Sequence, residues 1–538
     1  MQELDRTADF DVAILGAGWS GLLACKYCLA EGLKTVVLEK RQTIGGVWAY
    51  TDDPHFGGVM KNTQTTSSRC ITEISDFPMP TVYPPFPSHA QIFDYLKSYC
   101  ERFELDSHVR LGRGIATVVK NDGVWEIGCT DNNRYRCRNL IVSTGVHQHP
   151  NDVSSDDRFR GFDGPVLHSA AVKEISVEYR DKTIVIWGGG ESASDVAFEA
   201  SNVAQKVYFC IPNGQWFVPK IVDRWPPFPS DRPKIVDHTS SRLRLFLSPT
   251  HRFSPFINQY LQYAFGFNGH GQAAWRTDAP YNRSFFNKSS EVLSRVKAGY
   301  VVPKRDIYQC DGKYVVFSDG DTVAADAIIT CSGYTAKFPF FTEGKPAADP
   351  RTWYKYLFFN EDPSLALIGF VRPIFGSIPG IAELQSRYVA KVFSGKRELP
   401  GFSERVHVIK TDADFWNYHF RYTSLRLSGL VDHFLYCDDL AKLTGCKPRF
   451  WRLFLKSPKK WWKAITAPWN GCQFWLEDES QHQRIFRTFA QYAENRISEI
   501  YTFILLAPIL PLIGLATQTR VFCREHLLGK NPRKLQAS

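Results

Sequence analysis

Three glycines, Gly16, Gly18 and Gly21, follow an almost unbroken apolar run at 12–15. Such a run is typical of a parallel strand that is covered on both faces. After a strand of this kind, the first glycine permits a sharp turn, the second lets the backbone approach a pyrophosphate, and the third lets the next helix pack closely. A second strand then ends in Glu39, whose carboxylate can accept a hydrogen bond from a ribose hydroxyl. Together these residues predict a dinucleotide site.

A second glycine turn occurs in KTIVIWGGG at 182–190, again after a charged residue and an apolar strand. Gly188 and Gly190 match the first two glycines of the earlier turn, and Ala193 takes the small-residue place of the third. The next strand ends at Cys210 without an acidic residue, so this site does not select a free ribose hydroxyl in the same way. Two such units predict two nucleotides, and a turn without a ligand is the alternative for the second.

Two loops after the first unit carry groups that suit a flat ring. Gly45 and Gly46 allow close backbone approach, and Trp48 supplies an aromatic wall. The segment KNTQTTSSRC at 61–70 supplies hydroxyl and amide groups and has no periodic apolar face. A polar stretch of this kind is usually only a loop, so a plain loop and a ring-binding segment both remain as interpretations of 61–70.

Length and composition narrow the classes of protein. The chain has 538 residues, which exceeds what one hydrophobic core usually spans, so two or three domains are expected. The formal net charge of +10 is not concentrated in a long run except near the C-terminus, so nucleic acid is not indicated as a partner. The 13 cysteines have no repeated spacing, which predicts reduced thiols, and no Cys or His cluster has the spacing of a metal site.

Cys25 and Cys28 form a CxxC pair. Both fall inside the helix predicted after the first glycine turn, whereas a reactive pair is expected at a helix N-terminus. We therefore predict that both thiols pack in the core, and a redox pair is the alternative.

The order of the elements predicts an α/β protein with two Rossmann-like dinucleotide-binding domains, the second inserted into the first, and an apolar C-terminal membrane segment. The two domains are expected to face each other across their glycine turns. The expected ranges are 9–175 for the first part of the outer domain, 176–320 for the inserted domain with an insertion at about 225–300, 321–445 for the second part of the outer domain, 446–497 for a helical interfacial region, and 498–538 for the apolar segment with a basic tail.

The apolar segment at 500–516 contains no charged residue. As a helix it would span about 26 Å, slightly short of a hydrocarbon core of roughly 30 Å, and Pro508 and Pro511 would kink it. Upstream, residues 450–469 mix lysines with tryptophans, which suits the headgroup layer of a membrane. We expect a segment that dips into the membrane and returns, with its basic tail in the cytosol. A buried hydrophobic helix is the alternative.

Over nearly its whole length the chain resembles the flavin-containing monooxygenase family, of the class B, microsomal type. The identifying pattern of that family, FxGxxxH ahead of the second nucleotide turn, is met by Phe162, Gly164 and His168. The other segments that carry the resemblance are GAGWSG (16–21), Glu39, GGVW (45–48), SDFPMP (75–80), STG (143–145), GGGESASD (188–195), CSGY (331–334), IGFV (368–371) and ELQSR (383–387).

The resemblance implies FAD at the first turn and NADPH at the second, with NADH as an alternative. The residues it implies for FAD are Gly16, Ala17, Gly18, Ser20, Gly21, Glu39, Gly46, Val47 and Trp48. Those it implies for the nicotinamide dinucleotide are Gly188, Gly190, Glu191, Ser192, Ala193 and Ser194. The polar catalytic group of the family aligns with Thr66, and Asn62 lies nearby, so either side chain is a candidate.

One departure from the family concerns the choice between NADPH and NADH. The family commonly has an arginine after the strand KVYFC, where it holds the 2′-phosphate of NADPH, but this chain has IPNGQW at 211–216. The preference for NADPH is therefore expected either to be weaker or to rest on Lys206, Lys220 or an arginine of the insertion.

The activity that the resemblance implies is NADPH-dependent transfer of one oxygen atom from dioxygen to a soft nucleophile, a tertiary amine or a thioether, through a peroxide at flavin carbon 4a. The alternatives are a Baeyer–Villiger monooxygenase, a disulfide reductase that uses Cys25 and Cys28, and a flavin-bound membrane scaffold. His168 is expected to hydrogen-bond the backbone rather than to transfer protons. The resemblance implies the endoplasmic reticulum membrane, with membrane lipid as a partner and the catalytic body facing the cytosol; the alternative location is cytoplasmic.

Overall fold

Two units of alternating strand and helix make up most of the fold. The computed structural model describes residues 9–53, 56–222, 234–243, 266–281, 284–344, 346–421 and 429–492. In chain order its strands are β1 (Phe10–Leu15), β2 (Thr35–Leu38), β3 (Val109–Arg110), β4 (Ile115–Asn121), β5 (Val124–Cys129), β6 (Arg134–Val142), β7 (His149–Pro150), β8 (Val166–His168), β9 (Thr183–Trp187), β10 (Lys206–Cys210), β11 (Ile221–Val222), β12 (Lys234–Ile235), β13 (Val301–Lys304), β14 (Ile307–Asp311), β15 (Tyr314–Phe317), β16 (Thr322–Ala324), β17 (Ala327–Thr330), β18 (Tyr334–Thr335), β19 (Leu365–Leu367), β20 (Arg372–Pro373) and β21 (Leu430–Val431). Its α-helices are α1 (Trp19–Ala30), α2 (Arg69–Thr72), α3 (His89–Arg102), α4 (Glu191–Ala200), α5 (Val292–Lys297), α6 (Ile378–Phe393), α7 (Phe402–His419), α8 (His433–Thr444), α9 (Phe450–Lys456), α10 (Pro458–Thr466) and α11 (His482–Gln491).

The first sheet has seven strands, in the order β3-β2-β1-β6-β5-β4, and β19 also pairs with β6. β1 runs parallel to β2 and to the carboxyl half of β6. Val12 and Ile14 face one hydrophobic core with α1 and α6, whereas Ala13 and Leu15 face a second core on the other side. Because both faces of β1 are buried, its sequence is continuously apolar.

The second sheet has five parallel strands, in the order β13-β10-β9-β17-β8. Ile184 and Ile186 of β9 face the core under α4, and Val185 faces a smaller core on the opposite side. This sheet and the first each carry a glycine turn and a helix after a central strand. The α/β fold with two Rossmann-type units is therefore confirmed.

The second sheet extends beyond the range of 176–320 that the sequence suggests for the inserted domain. β8, with the histidine of the FxGxxxH pattern, lies at the edge of this sheet and pairs with β17. β17 in turn pairs with β9, the strand before the second glycine turn. Both strands, at 166–168 and 327–330, thus belong to the sheet of the second unit, although the sequence-based ranges place them in the outer domain.

Two antiparallel features accompany the parallel strands. β4, β5 and β6 form a meander, with Asp122 and Gly123 at positive φ in its first turn. β15 and β16 form a hairpin, in which Gly320 has φ of +89°. A glycine takes this conformation without the steric cost that a Cβ would add.

The described part of the C-terminal region is clamped onto the outer domain beside the SDFPMP segment. Asn470 donates from Nδ2 to the backbone oxygen of Cys70 at 2.6 Å and to Oε1 of Glu73 at 2.8 Å. The hydroxyl of Tyr492 donates to Oε2 of the same Glu73 at 2.8 Å, and the indole of Trp475 donates to Ser75 Oγ at 2.7 Å. These buried polar contacts attach residues 446–492 to the unit that carries the first glycine turn.

None of the helices in the described ranges combines the length and the apolar composition that crossing a membrane requires. The apolar run at 500–516, and all of the predicted anchor at 498–538, lie outside the described residues.

Candidate active site

The first glycine turn is geometrically closed to larger residues at two of its glycines. Gly16 has φ of +104°, and a Cβ on it would stand 2.8 Å from the carbonyl oxygen of Ser143. A Cβ on Gly21 would overlap the carbonyl oxygen of Gly16, because α1 packs directly against the turn. A Cβ on Gly18 would meet only the backbone of Gly46, with the Gly46 Cα 3.6 Å away, which is an ordinary van der Waals contact. Glycine is therefore required at 16 and 21 because any larger residue would clash with the backbone of the turn or of Ser143.

The N-terminus of α1 is open to an anion. Within the described residues no side chain caps this helix, and its first turn has no acidic residue. The free N–H groups and the positive end of the helix dipole suit a diphosphate. Ser20 lies in this first turn against Gly369, which follows β19 and has φ of +86°. The IGFV segment, although distant in the sequence, thus packs against the side chain of Ser20 in the first turn of the helix.

Glu39 is buried at the end of β2, with 6% of its surface exposed. Its Oε2 accepts from the backbone N–H of Ala17 at 2.8 Å, and its Oε1 accepts from the N–H of Arg41 at 2.8 Å. A carboxylate has about four acceptor positions, so one remains on each oxygen for a ribose hydroxyl. Glu39 both fixes the glycine turn and offers the ribose acceptor that its position in the sequence predicts.

Arg41 clamps the loop at 45–49 onto this turn. Its guanidinium donates from NH1 to the oxygen of Gly46 and from NH2 to that of Ala49, each at 2.8 Å. Gly45 N–H donates to the oxygen of Ala17 at 2.9 Å. Val47 accepts a hydrogen bond on its carbonyl from the N–H of Val59 at 3.2 Å. The loop is therefore fixed beside the first turn, as a ring-binding loop requires.

The second glycine turn is also closed at its first glycine. Gly188 has φ of +136°, and a Cβ on it would stand 2.5 Å from the carbonyl oxygen of Cys331. At Gly190 no described heavy atom lies within 4 Å of a built Cβ, so space remains above the helix terminus. No described side chain caps α4, although its first residue is Glu191. The turn has the room and the free N–H groups that a second diphosphate needs.

Two residues that the sequence analysis missed hold this turn. Asn287 donates from Nδ2 to the oxygen of Gly190 at 3.0 Å and to Ser194 Oγ at 2.8 Å. Gln215 donates from Nε2 to the oxygen of Gly189 at 2.8 Å. Asn287 lies in the insertion, almost a hundred residues away, and no local pattern marks it. Ala193 is fully buried, which explains the small residue there.

Thr66 and Glu191 join the two units. The side chain of Thr66, from the polar segment of the first unit, lies beside the Glu191 carboxylate at the start of α4 and acts to lower its pKa. Burial raises the pKa of Glu191, while Lys288, Lys220 and Arg372 act in the opposite direction. Thr66 thus lies at the second glycine turn, on the side that faces the first unit.

Asn62, the other catalytic candidate, lies elsewhere. Its Nδ2 donates to Oε2 of Glu199 at 3.0 Å in an exposed position. Glu199 is near the carboxyl end of α4, about 12 Å along the helix from Glu191. Of the two candidates, the structure places Thr66 beside the second glycine turn and leaves Asn62 on the surface. Ser192 is exposed at the start of α4.

Arg372 acts through its charge on residues of both units. It follows β19 of the first sheet, yet its charge acts on Glu191 of the second unit. It also acts on His147, which follows β6; burial and then Arg372 lower the pKa of that imidazole to about 3. The carboxyl edge of the first sheet therefore lies near the start of α4, in agreement with the predicted orientation of the glycine turns.

His168 has a structural environment. Its Nδ1 accepts from the N–H of Ala170 at 3.0 Å, so Nε2 carries the proton and donates to the oxygen of Gly333 at 3.1 Å. Burial lowers the pKa of this imidazole, which favours the neutral ring. A Cβ on Gly164 would stand 2.7 Å from the Phe162 ring. The FxGxxxH pattern thus lies at the edge of the second sheet, and both ring nitrogens of its histidine form hydrogen bonds with the backbone.

Cys25 and Cys28 lie within α1 and are fully buried. Burial raises the pKa of Cys25 to about 12 and also raises the pKa of Cys28, so both stay protonated at neutral pH. A thiol must ionise to attack a disulfide. The geometry therefore favours the packing role.

Two Rossmann-type units, each with a glycine turn between a buried strand and a helix, are typical of an oxidoreductase that uses two dinucleotides. Residues 9–496 match the profile of the flavin-binding monooxygenase-like family. The chain belongs to this family. It is a flavoprotein monooxygenase whose cofactors are FAD and NADPH, and it uses dioxygen and a small-molecule substrate.

Known proteins of this kind cover most of the chain. A 4-hydroxybenzoate brominase (decarboxylating) of Marinomonas mediterranea is 30% identical over 478 residues, which are 87% of this chain and 89% of that protein. Dimethylaniline monooxygenase (N-oxide-forming) 2 of Macaca mulatta is 29% identical over 494 residues, again 87% of this chain and 89% of the relative.

Solved structures share the fold at lower identity. S-allyl-L-cysteine S-oxygenase from Allium sativum is 20% identical, with a TM-score of 0.59 over 89% of this chain and 98% of its own. Cyclohexanone monooxygenase from Rhodococcus sp. Phi1, bound to NADP+, is 16% identical, with a TM-score of 0.60 over 81% of this chain and 97% of its own.

Proposed function

We propose that this monooxygenase oxygenates soft nucleophiles and forms N-oxides or S-oxides of small molecules. The observation that carries the proposal is the similarity to an enzyme named as N-oxide-forming, which extends over 87% of the chain. A soft nucleophile needs no acid, base or binding motif of its own, because the cofactors supply the reactive groups. This fits a chain in which we found no substrate motif.

In this proposal the first turn, with Glu39 and the loop at 45–49, binds FAD, and residues 188–194 bind NADPH. When bound, the pair supplies hydride transfer and the activation of dioxygen. The protein orients the two nucleotides across the cleft and excludes water from it. Thr66, which lies beside Glu191, supplies a neutral hydroxyl near the second turn.

Product analysis tests the proposal. The FAD-loaded protein is given NADPH and air with a thioether, a tertiary amine or a cyclic ketone. We expect a sulfoxide and an N-oxide, each with NADPH consumption, and little ester from the ketone. Ester formation without any N- or S-oxide would instead show a Baeyer–Villiger monooxygenase.

The relative from Marinomonas mediterranea is named a brominase, so halide chemistry is a second candidate. It is tested by adding bromide and 4-hydroxybenzoate to the same reaction. We expect bromide to leave the rate and the products unchanged. A brominated phenol in place of the oxygenated amine or thioether would favour the second candidate.

Thr66→Val is expected to lower the yield of oxygenated product per NADPH consumed by about tenfold, since valine keeps the shape but loses one hydrogen-bonding hydroxyl. NADPH consumption itself should change little. Asn62→Ala is the matched control, because its side chain contacts the exposed end of α4. An unchanged yield in Thr66→Val, or an equal loss in Asn62→Ala, would contradict the role of Thr66.

We further propose that the protein binds membranes, through a patch that comprises Trp451, Phe454, Leu455 and Trp462. These side chains are between 45% and 72% exposed on α9 and α10, which is unusual for large apolar groups. Lys456, Lys459 and Lys460 are exposed beside them and suit anionic headgroups. The location that this proposal favours is the endoplasmic reticulum membrane, with the catalytic body in the cytosol and a cytoplasmic protein as the alternative.

Replacing both Trp451 and Leu455 by serine should weaken binding to anionic phospholipid vesicles by at least about tenfold, because two large apolar side chains no longer insert. The comparison uses chains that end at residue 497, so that the apolar segment does not mask the patch. Phe402→Ser is the control, since Phe402 is 56% exposed on α7. If the unsubstituted chain, the double serine variant and Phe402→Ser all sediment equally with the vesicles, the patch does not bind membranes.

A further inference from the structure

Two arginines lie at the carboxyl ends of β10 and β13, and neither is paired with a carboxylate within the described ranges. Arg276 is exposed and Arg305 is half-buried. Arg305 donates from NH1 to the backbone oxygen of Arg276 at 2.7 Å and to that of Ala274 at 3.3 Å. The nearby Asp306 is engaged by the indole of Trp187 at 2.7 Å instead. The Arg305 guanidinium therefore lies against the backbone of Arg276 at this edge of the second sheet.

The position of Arg276 is fixed by its neighbours. Trp275 is fully buried, and its indole donates to the oxygen of Phe209 on β10 at 3.1 Å and to that of Lys304 on β13 at 3.2 Å. The backbone of Arg276 also fills the space beside Gly214, where a Cβ would overlap its carbonyl group. Arg276 is thus held against the loop that follows β10.

This location has a defined meaning in a Rossmann unit. The adenosine ribose lies at the end of the second strand of the unit, which here is β10, and a nearby arginine accommodates the 2′-phosphate of NADPH. The loop at 211–215 contains no cation of its own. A cation for the phosphate must therefore come from a segment that packs against this loop.

The other cations considered from the sequence are engaged elsewhere. Lys206 donates to the oxygen of Gly299 at the amino end of β10, on the opposite edge of the sheet. Lys220 is buried in an ion pair with Glu291, with Nζ and Oε1 3.1 Å apart.

Two further arginines of the described insertion are also engaged. Arg242 pairs with Asp438 of α8 at 2.7 Å, and Arg295 hydrogen-bonds Asn202. Within the described part of the insertion, Arg276 is the arginine that remains for a ligand.

We propose that Arg276 binds the 2′-phosphate of NADPH and that Arg305 positions it. The planar guanidinium suits a phosphate because it can donate two parallel hydrogen bonds. Arg305 acts through the Arg276 carbonyl and is a positioning residue. This inference rests on the cofactors of the family and is independent of which substrate is oxygenated.

Equilibrium binding without turnover tests the proposal. The full-length, FAD-loaded protein is titrated calorimetrically with 2′,5′-ADP and with 5′-AMP, which differ only in the 2′-phosphate. We expect the native protein to prefer 2′,5′-ADP. Arg276→Gln should weaken 2′,5′-ADP binding by about ten- to a hundredfold and leave 5′-AMP binding unchanged. Arg276→Lys should retain part of the preference, and Arg305→Gln should lose a smaller part.

Arg180→Gln is the matched control, because Arg180 is exposed just before β9, at the opposite edge of the same sheet. It makes the same change in net charge and should bind both nucleotides as the native protein does. Equal affinity of the native protein for both nucleotides would overturn the proposal, as would an intact preference in Arg276→Gln. If Arg276→Gln lost affinity for both nucleotides equally, Arg276 would have a structural role only and the proposal would be overturned. FAD content confirms that each variant is folded.

Discussion

Gly21→Ala is expected to give a protein that binds FAD about a hundredfold more weakly and is colourless after purification. The added Cβ would overlap the carbonyl oxygen of Gly16, so α1 must move away from β1. The helix would then no longer aim its N–H groups at the diphosphate. Displacements of this kind in a close-packed region cost about 1–3 kcal/mol. The free energy of FAD binding becomes less favourable by this amount. The measurement is the ratio of FAD to protein after dialysis against excess FAD.

Gly190→Ala is the control for this result. It makes the same substitution in the second turn, at φ of −82°, where no described heavy atom lies within 4 Å of the new Cβ. We expect a yellow protein with a full complement of FAD. A yellow, fully loaded Gly21→Ala protein would mean that FAD does not depend on the first turn.

Gly188→Ala is expected to weaken NADPH binding by about a hundredfold while FAD stays bound. The substitution places a Cβ 2.5 Å from the carbonyl oxygen of Cys331 at φ of +136°, a conformation that costs a non-glycine residue about 1–3 kcal/mol. The turn must open, and the diphosphate loses its backbone donors. Stopped-flow reduction of the bound flavin at a series of NADPH concentrations measures the effect.

Gly320→Ala separates backbone strain from the loss of the site. Gly320 also has positive φ, but it lies in the β15–β16 hairpin with no described heavy atom near its Cβ. This variant should be slightly less stable and should bind NADPH normally. Dithionite should still bleach the flavin of Gly188→Ala. If NADPH reduced that variant as it does the native protein, residues 188–194 would not form the NADPH site.

The parts of the site that the sequence predicted are local in the chain. The turn at 16–21 could be predicted because each glycine has a fixed role between one strand and one helix. Glu39 could be placed at the ribose because the next strand ends at a set distance. The structure adds a second role for Glu39, which holds the N–H of Ala17.

The contacts between distant segments could not be predicted. Thr66 and Asn62 lie in one polar loop that packs along α4. Thr66 lies near Glu191 at the start of that helix, whereas Asn62 contacts Glu199 near its end, and this difference appears only in the tertiary structure. Asn287 comes from an insertion with no periodic pattern, yet it holds the second turn. The expected range of 9–175 assigns β8 to the outer domain, whereas β8 pairs with β17 at the edge of the second sheet, a long-range pairing that the local sequence does not show.

The C-terminal region shows a similar division. The mixture of tryptophan and lysine at 450–469 predicted an interfacial character, and the structure exposes Trp451 and Trp462. The sequence did not predict that Asn470 and Tyr492 would clamp this region to Glu73. Burial raises the pKa of Glu73 to about 7, although Tyr492, Met79 and Asn470 all hydrogen-bond its carboxyl group. Such contacts depend on tertiary packing and leave no mark in the local pattern.

Anaerobic mixing of the FAD-loaded protein with NADPH tests the central claim most directly, since that claim places the two nucleotides across one cleft. We predict that NADPH bleaches the visible absorbance of the bound flavin, and that a pulse of isotopically labelled dioxygen with a thioether restores the colour and yields a sulfoxide that carries the label. A bound flavin that dithionite reduces but NADPH does not, or a sulfoxide without the label, would contradict it.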